Sequence, residues 1–277
     1  MRIAVTGYKG QLGLELQNTL KKHELVLIDK DTCDITQKDQ VSSFLNKSSP
    51  EAIIHAAAYT DVDGCEKNPE LAKAVNVEGT RNLVEYAKEN KVLLLYISTD
   101  YVFDGAKKGE YKEDDPTNPI SIYSKTKLEG EVVVHNCLEK YFIARTAWLY
   151  GQGNNFVNKI MGLSKKNKLL KVVNDQFGSP TYAKDLAEAV SKLIFTDDYG
   201  LYHIVNSNNC SRYEFANEII NLTKSDTRVI PVPSSEFKIL ATRPANSILD
   251  ISKLQSKGIY MRDWKEALKE YIETYFL

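Results

Sequence analysis

The sequence predicts an α/β protein: a doubly wound parallel sheet followed by a smaller, mixed α/β C-terminal lobe. Three observations predict it. Short apolar runs alternate with longer helical patterns through residues 1–150. A glycine-rich turn follows the first apolar run directly. The alternation loosens after Gly151.

The apolar runs fall at 3–6, 25–28, 52–57, 92–97 and 142–144. They are β-branched or leucine-rich and lack polar alternation, as strands buried on both faces require. Helical patterns occupy 12–21, 37–46, 71–89 and 124–138 between them. Strands joined by right-handed helical crossovers bring their carboxyl ends to one edge of the sheet, where ligands bind. Beyond Gly151, helical patterns at 156–165, 184–195, 212–223 and 264–275 mix with strands at 169–173 and 201–205, and Pro231, Pro233 and Pro244 punctuate the rest. The expected division is residues 1–150 and 151–277. The boundary is soft, because a late strand can return to the main sheet.

Composition narrows the function classes. Lys and Arg number 36 and Asp and Glu 37, so no broad basic surface argues for nucleic acid or an anionic membrane. Met1-Arg2 leads into an apolar run that Gly7 interrupts, too short for a signal sequence or a membrane span. Cys33, Cys65, Cys137 and Cys210 are widely spaced and form no C-x-x-C, so neither disulfides nor a zinc site is expected. A cytoplasmic protein fits that usage.

The glycine-rich turn reads Gly7-Tyr8-Lys9-Gly10-Gln11-Leu12-Gly13 and opens the first helix. At a first βα junction this is a dinucleotide fingerprint, and the sheet is then Rossmann-like with residues 1–150 as the dinucleotide-binding domain. Gly7 permits the tight turn, Gly10 lets a pyrophosphate approach the backbone, and Gly13 lets helix and strand pack closely. The helix N-terminus offers free N–H groups to the phosphates. Asp29 ends the second strand, where a carboxylate can take a ribose hydroxyl; Lys30 beside it can pair with a 2′-phosphate. NADH and NADPH both stay open. Ala56, Ala57 and Ala58 end the third strand with side chains small enough for a cofactor to lie against the backbone. His55 precedes them and is expected to be structural.

Tyr123 and Lys127 form Y-x-x-x-K near a helix start, so both can face one ligand. An ammonium beside the phenol is expected to lower its pKa, and Tyr123 can then protonate a carbonyl oxygen as hydride arrives. Lys127 can also hydrogen-bond the nicotinamide ribose. Thr99, at the carboxyl end of the fourth strand, can donate to the same carbonyl.

Ser98-Thr99-Asp100-Tyr101-Val102-Phe103-Asp104-Gly105, followed by Tyr123-Ser124-Lys125-Thr126-Lys127, resembles the dTDP-4-dehydrorhamnose reductase family of extended short-chain dehydrogenases. The G-x-x-G-x-x-G spacing is that group's variant. Further matching segments lie at 56–63, 145–151, 174–181, 243–247 and 262–264. The resemblance implies reduction of the C4 keto group of a dTDP-linked 4-keto-6-deoxyhexose, with Thr99, Tyr123 and Lys127 as the catalytic set. It implies that Asp34 and Ile35 border the adenine, although Asp34 can equally cap the next helix. Asn76 would sit on a helix lining the active site, and Val62, Tyr101 and Trp148 near the sugar nucleotide. Trp148 also offers a flat apolar face. Arg243 is expected either to grip the pyrophosphate or to pair with an acid of the second lobe.

Some relatives are described as dimers with magnesium held by surface carboxylates. Glu15 matches one such carboxylate, but no second acidic cluster is found, and Lys184 stands in the region where one would be sought. Magnesium needs clustered oxygen ligands, so no metal site is expected and monomer or homodimer stays open. Two rivals share the scaffold. A sugar-nucleotide epimerase or dehydratase is one, but the dehydratase's second carboxylate after Thr99-Asp100 is replaced by Tyr101. A non-catalytic regulatory subunit is the other, and the intact Thr99, Tyr123 and Lys127 speak against it.

Overall fold

Valine, isoleucine and leucine fill the early strands, and each strand is followed by a helix that covers it. In the computed structural model, which describes residues 1–276, the first half runs β1 (Arg2–Thr6), α1 (Gln11–Thr19), β2 (Glu24–Ile28), α2 (Lys38–Ser48), β3 (Ala52–His55), α3 (Val62–Lys67), α4 (Pro69–Lys73), α5 (Gly79–Asn90), β4 (Leu93–Thr99), α6 (Ile122–Cys137) and β5 (Tyr141–Thr146). The second half runs β6 (Leu149–Tyr150), α7 (Phe156–Ser164), β7 (Leu169–Val173), β8 (Phe177–Gly178), β9 (Thr181–Tyr182), α8 (Ala183–Leu193), β10 (Gly200–His203), β11 (Cys210–Ser211), α9 (Arg212–Leu222), β12 (Arg228–Val232), α10 (Ser252–Gln255) and α11 (Trp264–Phe276).

Six parallel strands form the main sheet in the order β2-β1-β3-β4-β5-β10. From β1 the chain goes to β2 on one side and then crosses to β3 on the other. That reversal opens a crevice at the carboxyl ends of β1 and β3. Alternate residues of each strand feed opposite layers, as a pleated strand dictates. Ile3 and Val5 pack with Leu12, Leu16, Leu186 and Val190. Ala4 and Ile53 pack with Val41, Leu83, Val84 and Val134 on the other face.

The strand expected at 201–205 is β10, and it joins the edge of the main sheet in parallel register with β5. The helix before it, α8, packs against α1. The second half thus supplies both a strand and a covering helix to the main layers. Its own core gathers Tyr150, Tyr182, Phe215, Trp264 and Tyr271. Two expected elements end differently. The third strand stops at His55 rather than Ala57. The single helix expected over 71–89 is interrupted by a π-helical turn at Ala74–Glu78. No helix among the described residues is long and apolar enough to cross a membrane.

Candidate active site

A cleft of about 790 Å³ lies along the carboxyl ends of β1, β3 and β4, a size suited to a nucleotide. Gly7, Gly10, Gln11, Leu12 and Gly13 form one wall. Gly7 has φ +71°, and a Cβ there would sit 2.8 Å from the Ala57 nitrogen. A Cβ on Gly13 would sit 2.3 Å from the Gly7 carbonyl oxygen. Gly10 is less constrained: its backbone is extended, and only the Gly7 oxygen comes near, at 3.2 Å. No side chain caps α1. Its first N–H groups therefore remain available to an anion, and this wall fits a dinucleotide pyrophosphate.

Asp29, Lys30, Asp34 and Ile35 line the cleft beyond the glycines, and Ala56, Ala57 and Ala58 line it across from them. Asp34 does not cap α2, whose N-cap is Gln37. Its carboxylate accepts instead from the Thr36 N–H at 3.0 Å and the Thr36 hydroxyl at 2.8 Å, closing its own turn. Asn76, expected to face the cofactor, is turned inward. Its amide oxygen accepts from the Tyr59 N–H at 2.8 Å. Its nitrogen donates to the Tyr59 carbonyl at 3.2 Å and to the Thr126 hydroxyl at 3.0 Å. Asn76 thus ties the loop after β3 to α6, and Ala74 and Val75 line the cleft in its place.

His55 is structural, as expected. Thr80 donates to the Asn76 carbonyl at 2.7 Å and so accepts from His55 Nε2 at 3.0 Å. Nδ1 must then accept from Thr6, at 2.7 Å. Burial holds this neutral imidazole down at about 3.

The catalytic helix starts at a defined point. Ser121 and Ser124 cap α6 reciprocally, and the Ile122 N–H donates to Glu66 at 2.8 Å. Tyr123 and Lys127 then fall one turn apart and both line the cleft, as does Thr99 at the end of β4. Lys127 is 3 % exposed. Its Nζ donates to the Ile97 carbonyl at 2.7 Å and lies 4.0 Å from the Tyr96 ring centre. Burial lowers Lys127 to about 7, against the opposing pull of Glu131 one turn on. Glu131 is itself held in a buried, two-point pair with Arg145, at 2.9 and 2.7 Å.

One sequence expectation is reversed here. Tyr123 stands well above the ordinary tyrosine value, because burial outweighs the opposing influence of the nearby Thr99 hydroxyl. The lysine does not lower it; its ammonium is directed at the Ile97 carbonyl. A phenol held neutral is a proton donor, which is the form reduction of a ketone needs.

The expected substrate residues separate. Trp148 lines the cleft. Its backbone adopts φ +45°, rare for a bulky residue. Its ring is wedged against Gly178, where a Cβ would sit 2.6 Å from the indole. The Arg212 guanidinium covers one face of that indole, 3.5 Å from its centre, so the open apolar platform expected there is half occupied. Tyr101 sets its ring edge-on to Tyr123, with centres 6.2 Å apart. Val62 begins α3 and does not line the cleft. Arg243 pairs with Asp63 at 3.0 Å, an acid of the first half rather than the second lobe. Glu15, expected at the surface, is 4 % exposed because α8 covers α1, and it accepts from the Tyr275 hydroxyl at 3.4 Å. Lys184 pairs with Glu270 at 2.6 Å. The described residues contain no cluster of three or more His, Cys, Asp or Glu side chains able to hold a metal.

Two residues escaped sequence reasoning: Asp100, buried at 2 % exposure beside Thr99, and Arg212 over Trp148. The acid was visible as Thr99-Asp100, but only folding shows its burial.

A glycine-lined phosphate wall, a Tyr–Lys pair on one helical face and a threonine at the end of β4 define an extended short-chain dehydrogenase/reductase. The chain belongs to the family described as RmlD substrate binding domain, whose model matches residues 1–276. A Clostridium acetobutylicum structure described as a dTDP-4-dehydrorhamnose reductase is 45 % identical, with each chain covered over 100 % and a TM-score of 0.98. The Bacillus anthracis dTDP-4-dehydrorhamnose reductase, solved in complex with NADP, is 40 % identical over 99 % of each chain, with a TM-score of 0.95. The dTDP-4-dehydrorhamnose reductase of Aggregatibacter actinomycetemcomitans is 40 % identical over 97 % of each chain.

Proposed function

We propose that this chain reduces the C4 keto group of dTDP-4-dehydro-L-rhamnose to dTDP-L-rhamnose, using NADPH or NADH, in the assembly of rhamnose-containing polysaccharide. The observation that carries this reading is the convergence of Tyr123, Lys127 and Thr99 on the cleft that also holds the glycine wall. End-to-end similarity to proteins described as dTDP-4-dehydrorhamnose reductases supports the substrate.

A reduced nicotinamide, held along the cleft by the glycine wall and the residues around it, would supply the hydride that the carbonyl carbon takes up. Tyr123 Oη gives its proton to the carbonyl oxygen, so ketone, hydride and proton balance to the alcohol. Lys127 stands one turn on, where its ammonium can orient a ribose and restore charge balance as the phenol loses its proton. Gly7 to Gly13 hold the pyrophosphate. Asp29 and Lys30 line the cleft beyond the glycines, where they would meet the adenosine ribose and each would favour a different cofactor.

The protein is expected to work in the cytoplasm, as monomer or homodimer, with its four thiols free. The test follows the absorbance of the reduced cofactor with dTDP-4-dehydro-L-rhamnose, comparing NADPH with NADH and the dTDP substrate with a UDP-linked analogue. Oxidation of cofactor that depends on the dTDP sugar is expected. Failure of both cofactors to be oxidised would contradict the reading.

A further inference from the structure

Thr99 and Asp100 stand together at the carboxyl end of β4, and both line the cleft beside Tyr123. A threonine hydroxyl has one proton and two lone pairs. The Tyr101 N–H occupies one lone pair of Thr99, at 3.2 Å. The proton goes to Asp100 Oδ1, at 3.0 Å. An ionised carboxylate accepts only, which fixes that direction. Tyr123 lines the cleft close by. In this arrangement Thr99 has nothing left to donate to a carbonyl oxygen.

Asp100 is otherwise poorly satisfied. It is 2 % exposed, and its Oδ2 has no hydrogen-bond partner. The groups facing it are Tyr101 on its own turn, Tyr123 on α6 with Lys127 beyond, Ser247 from the loop before α10, and Arg212 at the start of α9. Arg243, near Tyr101, is committed to Asp63.

We propose that Asp100 is a positioning residue that sets the direction of the Thr99 hydroxyl. Ionised, it captures the Thr99 proton and leaves Tyr123 as the one donor to the reacting carbonyl oxygen. Protonated on Oδ1, it gives its own proton to the second lone pair of Thr99 and frees the Thr99 O–H to donate there as well, so two donors meet the charge that develops. This rests on the reductase reading. Burial, only partly offset by Ser247, Thr99 and Arg212, holds Asp100 up at about 6, so both states lie close to neutral pH.

As pH rises through that value, Asp100 ionises and kcat falls. A lost donor to a developing oxyanion costs on the order of 10-fold or more in kcat. KM changes little, because the interaction strengthens in the transition state. Lys127, at about 7, adds a fall at higher pH.

The experiment measures kcat and KM for the dTDP-4-dehydro sugar from pH 5 to 9 in wild type, Asp100→Asn and Thr99→Val, with far-UV circular dichroism and NADPH affinity as checks of folding. In wild type the fall is expected to begin near the Asp100 value. In Asp100→Asn, which cannot titrate and whose amide N–H can donate to Thr99, the midpoint should move up toward the Lys127 value, with kcat at pH 8 at or above wild type. Thr99→Val should show the same shifted midpoint, with kcat below wild type at pH 5 and close to it where Asp100 is ionised in wild type. An unshifted midpoint in either folded variant overturns the proposal. Absence of turnover in wild type would instead contradict the reductase reading itself, so the two failures are distinguishable.

Discussion

Arg243 grips Asp63 with both ends of its guanidinium, Nη2 to Oδ2 at 3.0 Å and Nη1 to Oδ1 at 3.3 Å. The same carboxylate accepts the Ala241 N–H at 3.0 Å. The loop that carries Arg243 is thereby fastened to α3 of the other half. Both partners are partly exposed, so the ion pair itself adds only about 0–1 kcal/mol to global stability. Its effect is local. In Asp63→Ala, the Ala241 amide should exchange hydrogen faster while the urea midpoint barely moves. Unchanged protection at Ala241 would show that the clasp does not hold the loop.

The glycine wall separates binding from folding. A side chain at Gly10 meets only one oxygen at 3.2 Å, whereas one at Gly13 meets backbone at 2.3 Å. Gly10→Val should keep the thermal midpoint but weaken NADPH binding at least tenfold by blocking the pyrophosphate. Gly13→Ala should instead destabilise the fold by about 1–3 kcal/mol, the usual cost of overpacking. Fluorescence titration and thermal melts distinguish them. Full NADPH affinity in Gly10→Val would remove the phosphate assignment.

Stability should fall on the acid side. His55 and His203 are both lowered to about 3 by burial. From the ordinary histidine value down to about 3, the unfolded chain therefore binds more protons than the folded one. Each histidine then removes stability as pH falls through that window, by up to about 1.4 kcal/mol per pH unit. Asp100 and Glu113 are raised by burial and work in the opposite direction, whereas Asp63 and Glu270, held down by Arg243 and Lys184, work with the histidines. Urea unfolding at pH 7 and pH 5 should show lower stability at pH 5, with a shallower loss in His55→Gln. Equal or higher stability at pH 5 would contradict the buried, neutral assignment.

Features set by short-range spacing were legible in the sequence. The strand–helix alternation, the Gly7 to Gly13 turn and the Tyr123–Lys127 turn each depend on neighbours within a few residues, and the cleft brings them together. Features set by distant partners were not. The π-helical turn at Ala74–Glu78 accommodates an extra residue relative to an α-helical turn, and Asn76 within it faces the interior. Glu15 is buried by a helix from the second half of the chain. Arg243 finds Asp63 across 180 residues. The pKa of Tyr123 follows from how deeply the cleft wall encloses it, which spacing along a helix does not reveal.

The central claim is that the Tyr123 hydroxyl delivers the proton to the reacting carbonyl. Tyr123→Phe removes that one oxygen and leaves Lys127 and the glycine wall in place. Pre-steady-state turnover of dTDP-4-dehydro-L-rhamnose, measured with NADPH affinity in the same variant, tests it most directly. The expected result is a loss of roughly 10²–10⁴ in the reduction rate, with the dissociation constant for NADPH within a few-fold of wild type. A reduction rate near that of wild type would contradict the mechanism.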